Sequence, residues 1–271
     1  GAALRRCGED LRRGELVLAA GRRLQPQDVG LLAMLGADQV TVRRRPRMAI
    51  LSSGDELIPV AAPLAPGKVR DANSHALGLL AEKTGAQVVP LGIAPDDLSA
   101  VRVQLDRAVR AGVDLIVASA GVSVGAYDYV RAAVEADGSL DFWKVNLRPG
   151  KPLAFGEVGG VPFFGLPGNP VSAFIGFLVF VRPALDRLSG LPGGGPHFER
   201  ALLAEAIESD GRESYLRAIT FFENDRRMVR LTGHQGSGNL LSLVQANALL
   251  IVPSGVKSLP ANKEVAIWPI A

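Results

Sequence analysis

From residue 48 onward the chain alternates two apolar patterns. Short unbroken runs, "MAILSS" (48–53), "QVVPLGIA" (87–94) and "VDLIVAS" (113–119), carry apolar side chains at successive positions. Runs of that length predict strands buried on both faces. Between them, apolar residues recur at helical spacing in "SHALGLLAEKTGA" (74–86), "DDLSAVRVQLDRAVRAG" (96–112) and "YVRAAVEADG" (129–138). These predict amphipathic helices. Asn73 or Ser74 is expected to cap the first and Gly85 to stop it; Asp96 and Asp97 place two acids in the first turn of the second. Strands alternating with helices predict an α/β unit, a mostly parallel sheet between two helical layers.

The pattern changes on either side of that unit. Before it, "QPQDVGLLAMLGA" predicts a helix opened by Pro26 and stopped by Gly36, with Val29, Leu31, Leu32 and Leu35 along one side. After it, two strand-like runs meet at Gly159-Gly160, which predicts a hairpin, and "NPVSAFIGFLVFVRPALDRLSG" (169–190) predicts a long helix. "LPGGGP" (191–196) then breaks the chain. Five short runs follow, "RALLAEAI", "SYLRAITFFEN", "RMVRLTG", "NALLIVPSG" and "EVAIWPIA", and predict a small all-β domain, sandwich or barrel. The expected division is therefore 1–45, the remnant of an N-terminal domain; 46–192, the α/β domain; and 193–271, the β domain.

Composition narrows the function classes. The chain of 271 residues is 48% hydrophobic, enough for a well-formed core. Its longest apolar run, "AFIGFLVFV" (173–181), is too short to span a bilayer, and no secretory signal is visible, so a cytoplasmic protein without a membrane partner is expected. A single Cys excludes an intrachain disulfide and a Cys-based zinc cluster. Net charge is +3; "RRRPR" (43–47) has no aromatics interleaved for stacking on bases, so no nucleic-acid partner is expected. The chain has 6 Lys, and Lys144 and Lys151 are two of them.

In an open parallel sheet, ligands bind beyond the carboxyl ends of the strands. The first strand ends in "SSGDEL", where Asp55 and Glu56 are either exposed turn acids or ligands for a hard cation. The second ends in "APDD", where Asp96 and Asp97 are either helix caps or carboxylates facing the same ion. The third ends in "SAGVSVGAYDY": Gly121 and Gly125 permit close approach of backbone to a ligand, Ser119 and Ser123 add hydroxyls, and Asp128 is a third acid. Further on, Lys144, Arg148 and Lys151 in "FWKVNLRPGKP" predict an anion-binding loop. In "GLPGNPVSA", Pro167 and Pro170 stiffen the start of a helix where Asn169 or Ser172 can meet a ligand. Carboxylates beside amides and cations form the arrangement used in phosphoryl chemistry.

Together, "SSGDEL", "DANS", "SAGVSVGAYDY", "FWKVNLRPGKPLAFG", "FGLPGNPVSA" and "TGHQGSGNLLSL" resemble, in order, the molybdopterin molybdenumtransferases, the MoeA and gephyrin E-domain family. The resemblance implies a MogA-like sheet domain, a C-terminal β domain and a homodimer with a further N-terminal region. It implies Mg2+-dependent insertion of molybdate into adenylylated molybdopterin with release of AMP, and contact with other proteins of molybdenum cofactor biosynthesis. It makes Glu56, Asp96 and Asp128 the metal and catalytic positions. Ser123 and the Gly121–Gly125 loop would hold the pterin or its phosphate; Lys144, Arg148 and Lys151 would bind phosphate and molybdate. Pro167, Pro170 and Ser172 would shape the pocket, and Arg217 and Ser237 would bind the oxyanion. Ala120 and Ala126 depart from the family pattern, and the latter removes one possible secondary ligand. Two alternatives are a molybdopterin adenylyltransferase-like enzyme and a gephyrin-type scaffold that binds a partner peptide.

Overall fold

The computed structural model of the chain describes residues 7–119, 129–192 and 195–270. Helix α1 (Pro26–Met34) begins with proline, as expected, and the Asp28 carboxylate accepts from Gln25 N at 2.9 Å. Its expected apolar side does not form a buried face: Val29 and Leu35 are exposed, and the buried residue of the helix is Asp28, held by Arg22. At about 100° per residue, Val29 points well away from the half-buried Leu31, though it is a neighbour of Leu32, and Leu35 lies past the last helical residue.

Strand β1 (Arg47–Ser53) leads to a small parallel pair, β2 (Leu57–Ile58) and β3 (Val69–Arg70). The predicted rhythm follows: α2 (Asn73–Lys83), β4 (Gln87–Ala94), α3 (Leu98–Arg110), β5 (Leu115–Ser119), α4 (Tyr129–Asp137). Next come β6 (Gly138–Lys144), β7 (Leu147–Arg148), and the hairpin β8 (Pro152–Val158) to β9 (Val161–Leu166), which turns at Gly159-Gly160 as expected. The first sheet has the order β4-β1-β5-β9-β8-β6, parallel from β4 to β9 and antiparallel beyond.

Unbroken apolar runs are explained by the two faces of this sheet. Met48, Ile50, Leu115 and Val117 pack with Leu77, Ala81, Phe177 and Leu185. Their neighbours Ala49, Leu51, Ile116 and Ala118 pack on the other side with Val101, Leu105, Ala133 and Val134. Successive side chains on a strand point to opposite faces, so a strand covered on both sides needs an apolar residue at every position.

Three departures matter for function. Residues 138–144 are an edge strand, although the expectation put the start of a loop there. Phe142 stacks on Phe155 of β8 at 5.7 Å between ring centroids, and Leu140 and Trp143 lean on the core. The long helix is α5 (Pro170–Gly176), a π-helical turn (Phe177–Val181) and α6 (Arg182–Leu188). Pro183 has no N–H to give and would strike the carbonyl four residues back; a wider turn, with Arg182 N donating to Phe177 O, relieves both problems. The third departure is β7, which leaves the first sheet and pairs parallel to a strand of the second.

That second sheet comprises β10 (Glu199–Leu203), β12 (Glu213–Glu223), β13 (Arg226–Leu231), β14 (Ala248–Val252) and β16 (Glu264–Pro269), each overlapping a run expected to be a strand. Beside it, β11 (Ile207–Glu208) pairs with β15 (Ser258–Leu259), and α7 (Leu241–Gln245) is a short helix. The order β13-β10-β16-β14-β12, with β12 pairing back to β13, closes a five-stranded barrel. Closure removes the unpaired edges of so small a sheet. Leu147, Val171, Ile175, Leu178, Tyr215, Leu249 and Trp268 form one buried cluster that glues α5 to the barrel.

Candidate functional site

The carboxyl end of β1 turns sharply at Gly54, whose N donates to Ala94 O at 3.2 Å at the end of β4. Gly54 has φ +150, and a methyl group there would stand 2.5 Å from Glu56 Oε2. The backbone conformation favours glycine there, and a side chain would also displace the Glu56 carboxylate folded over it. Asp96 sits next door: it accepts from Ser53 Oγ at 3.3 Å and Asp55 N at 3.4 Å, while its own N donates to Asp55 Oδ1 at 3.1 Å. Asp97, not Asp96, caps α3, accepting from Ala100 N at 2.8 Å.

At the end of β5, Ser119 is buried and its Oγ accepts from Asn73 Nδ2 at 2.7 Å. Asn73 also donates to Gly168 O at 2.8 Å. The residue expected to cap α2 therefore ties two loops of the cleft together, and Asp71 accepts from Ser74 N in its place. Gly121, Ser123, Gly125 and Asp128 lie outside the described residues.

The basic wall grows from β7. Arg148 is followed by a cis bond to Pro149, then Gly150 and Lys151. Arg212, in the turn before β12, donates to Leu147 O at 3.1 Å and twice to the Asp210 carboxylate. Arg148 Nη1 stands 3.9 Å from the same carboxylate. The Arg212 hydrogen bonds, with a smaller pull from Arg148, hold the Asp210 carboxyl at about 2. One acid thus keeps two guanidinium groups side by side at the rim.

The remaining wall is where the barrel meets α5. Asn169 Nδ2 donates to Ser237 Oγ at 3.0 Å, and Val171 N donates to Ser237 O at 3.0 Å. Behind this loop Arg217 is fully buried on β12. Its Nε donates to Ser242 Oγ and its Nη2 to Gly236 O, both at 3.0 Å, while Nη1 has no hydrogen-bond partner among the described residues. Burial, and then the nearby charge of Arg148, lower the Arg217 guanidinium to about 10. Gln235 completes the brace, accepting from Arg217 N at 2.9 Å and donating to Arg217 O at 3.0 Å.

These walls enclose a cavity of about 740 Å³. Of the residues singled out in the sequence, Glu56, Arg148, Lys151, Pro167, Asn169, Pro170, Ser172 and Ser237 line it. Three do not. Asp96 stands beside it, against Asp55. Lys144 is exposed on β6, where it pairs with Pro152 of β8, and the next residue's N donates to Lys151 O at 3.0 Å. Arg217 is behind the wall. Asn73, Ser119, Arg212 and Gln235 also line the cavity. Ser119 was expected to add a hydroxyl, and Asn73 and Gln235 fall in motifs that carry the resemblance; nothing in "SDGRESY" marked Arg212, because its place depends on β7 joining the second sheet. No group of three or more His, Cys, Asp or Glu among the described residues is arranged to hold a metal ion.

Residues 49–187 match the family described as "Probable molybdopterin binding domain", and residues 200–270 match "MoeA C-terminal region (domain IV)". The chain is 35% identical over 269 residues to a molybdopterin molybdenumtransferase of Haemophilus influenzae, covering 98% of this chain and 66% of that protein. It is 37% identical over 277 residues to molybdopterin molybdenumtransferase 2 of Mycobacterium tuberculosis, covering 100% of this chain and 68% of that one. A molybdopterin biosynthesis MoeA protein from Pyrococcus horikoshii, solved by crystallography, superposes with a TM-score of 0.83 at 30% identity over 97% of this chain and 64% of its own. The chain thus spans about two thirds of the length of the relatives it matches. With both regions matched, and in the same order as the sheet and the barrel, the chain belongs to the molybdopterin molybdenumtransferase (MoeA) family.

Proposed function

We propose that this chain is the part of a molybdopterin molybdenumtransferase that holds adenylylated molybdopterin and molybdate while molybdate is inserted and AMP is released. The observation that supports this most is the composition of one cavity: a strand-end carboxylate, Glu56, opposite Arg148, Lys151 and Arg212, with Ser237 and Asn169 at the barrel wall. Molybdate is a divalent oxyanion, and guanidinium, ammonium and hydroxyl donors suit it. A phosphate ester needs the same donors plus a way to manage charge on the scissile linkage.

Mg2+ fits this donor set in kind. It takes one or two carboxylates and completes its shell with water and substrate oxygens. Glu56 would hold it, with Asp96 and Asp128 the other positions the resemblance supplies; when bound, it would neutralise phosphate charge. The homodimer belongs to the same reading, since exposed Val29, Met34 and Leu35 are the kind of surface such a contact covers. So does the division at 1–45, 46–192 and 193–271. Among the described residues no helix is long and apolar enough to cross a membrane.

The test is AMP release by the full-length protein supplied with adenylylated molybdopterin, molybdate and Mg2+. Lys151→Ala and Glu56→Gln are each expected to lower kcat/KM about 100-fold. Wild-type rates from both variants would remove the cavity from the reaction. Pyrophosphate release from ATP and unmodified molybdopterin would favour the adenylyltransferase reading, which gives the barrel wall no task.

A further inference from the structure

A second cavity, of about 670 Å³, shares no lining residue with the first. The same helix borders both. Pro170 and Ser172, in its first turn, face the cleft; Phe174, Phe177, Leu178 and Arg182, through the π-turn, face the second cavity. Single π-turns within helices recur at functional sites. The second cavity opens to solvent at its rim, where Lys83 and Arg182 are exposed. Its volume lies within the roughly 300–1,000 Å³ range of small-molecule sites.

Its lining is divided by chemistry. The floor is apolar: Phe177, Leu178 and Trp268 are buried, with Phe174 and Leu80 partly so. The rim carries three cations, Arg23, Lys83 and Arg182, against one acid, Asp186. Arg23 is engaged, donating to Thr84 O at 2.8 Å and standing 3.7 Å from Asp186. Lys83 and Arg182 are exposed and make no hydrogen bond or close ion pair among the described residues. Burial pushes the Asp186 carboxyl up, against the pull of Arg182 and Arg23, so the acid is the less comfortable charge at this rim.

We infer that this cavity is a second ligand site, for a small aromatic carboxylate whose ring lies against the half-buried Phe174, Leu80 and Ile270 and whose charge meets Lys83 and Arg182. An apolar lining that includes the Phe174 ring selects a flat apolar body, and two cations without hydrogen-bonded partners select an anion over its neutral analogue.

The probes are 1-naphthoate and its neutral counterpart 1-naphthamide, titrated into the intact protein by calorimetry. Naphthoate is expected to bind about tenfold more tightly than the amide, a preference that the double variant Lys83→Ala/Arg182→Ala abolishes while amide binding is unchanged. Both side chains are exposed, so the fold survives their loss. Lys151→Ala should leave naphthoate binding unchanged, which separates this site from the cleft. Equal affinity for the two probes, no binding of either, retention of the preference in the double variant, or loss of binding in Lys151→Ala would each overturn the inference.

Discussion

The two walls of the cleft are built in opposite ways. On the sheet side, Glu56 is exposed and rests on a glycine turn, and Asp55 and Asp96 hold each other through long hydrogen bonds of 3.1 and 3.4 Å. On the barrel side, Arg217, Gln235, Gly236 and Ser242 form a connected network, much of it out of water, with bonds of 2.9–3.0 Å. The sheet side presents charge that water still stabilises and that a ligand or ion must organise. The barrel side is organised before anything binds. Preorganised donors contribute most where charge develops, because nothing needs to reorient during the reaction.

Breaking the organised side should therefore have the largest effect. Arg217→Ala removes the donors to Gly236 O and Ser242 Oγ, and AMP release by the full-length protein should fall about 100-fold. Stability should fall by only about 1–2 kcal/mol, because relief of an uncompensated buried charge offsets part of the lost hydrogen bonding. Urea unfolding beside the kinetic assay checks both, and an unchanged rate would mean that the brace is not what orders this wall. Asn73→Ala probes the seam between the walls. It leaves the Ser119 hydroxyl and the Gly168 carbonyl without their donor, so about 2 kcal/mol should be lost in the same unfolding experiment. A far smaller loss would show that water replaces the amide.

The smallest effect belongs to a pair remote from the cleft. Arg44 donates to both Asp114 oxygens at 2.5 and 2.6 Å, and its hydrogen bond is the main cause of an Asp114 carboxyl held below the usual range. A carboxyl lowered by folding contributes stability above its unfolded value of about 3.9 and loses it as pH falls through the lower folded value. Arg44 is mostly exposed, so solvent screens the pair and only a small part of the stability at neutral pH is expected from it. Arg44→Ala should cost that small part at pH 7 and nothing once acid has protonated Asp114; a difference that persists in acid would mean that the pair acts through packing.

The same contrast explains what the sequence could disclose. Strands β1 and β5 were legible because a sheet covered on both faces demands unbroken apolar runs, and the barrel strands because turn residues separate them. The cleft's sheet side was legible for a related reason: ligands gather where parallel strands end, so "SSGDEL" could be located without knowing any contact. The barrel side was hidden from pattern alone, and Arg217 and Ser237 were named there through the family resemblance. The burial of Arg217 depends on a long-range brace to residues 235 and 242, and Arg212 reaches the cavity because two residues, Leu147 and Arg148, leave one sheet for the other. Asn73 misled for a local reason: it occupies a capping position by spacing, yet its amide is drawn to Ser119 and Gly168 across the cleft. Lys144 ends a strand, because Phe142 and Trp143 extend β6 into what reads as loop.

The lacing of Leu147–Arg148 to β12 has a mechanical consequence. The guanidinium of Arg148 is borne by the roof of the cleft, although its chain neighbours Lys144 and Pro152 are moored in the floor. A swing of the barrel would carry that positive charge toward or away from Glu56, with residues 149–151 absorbing the travel, so widening the cleft and loosening its grip on an anion would be one motion.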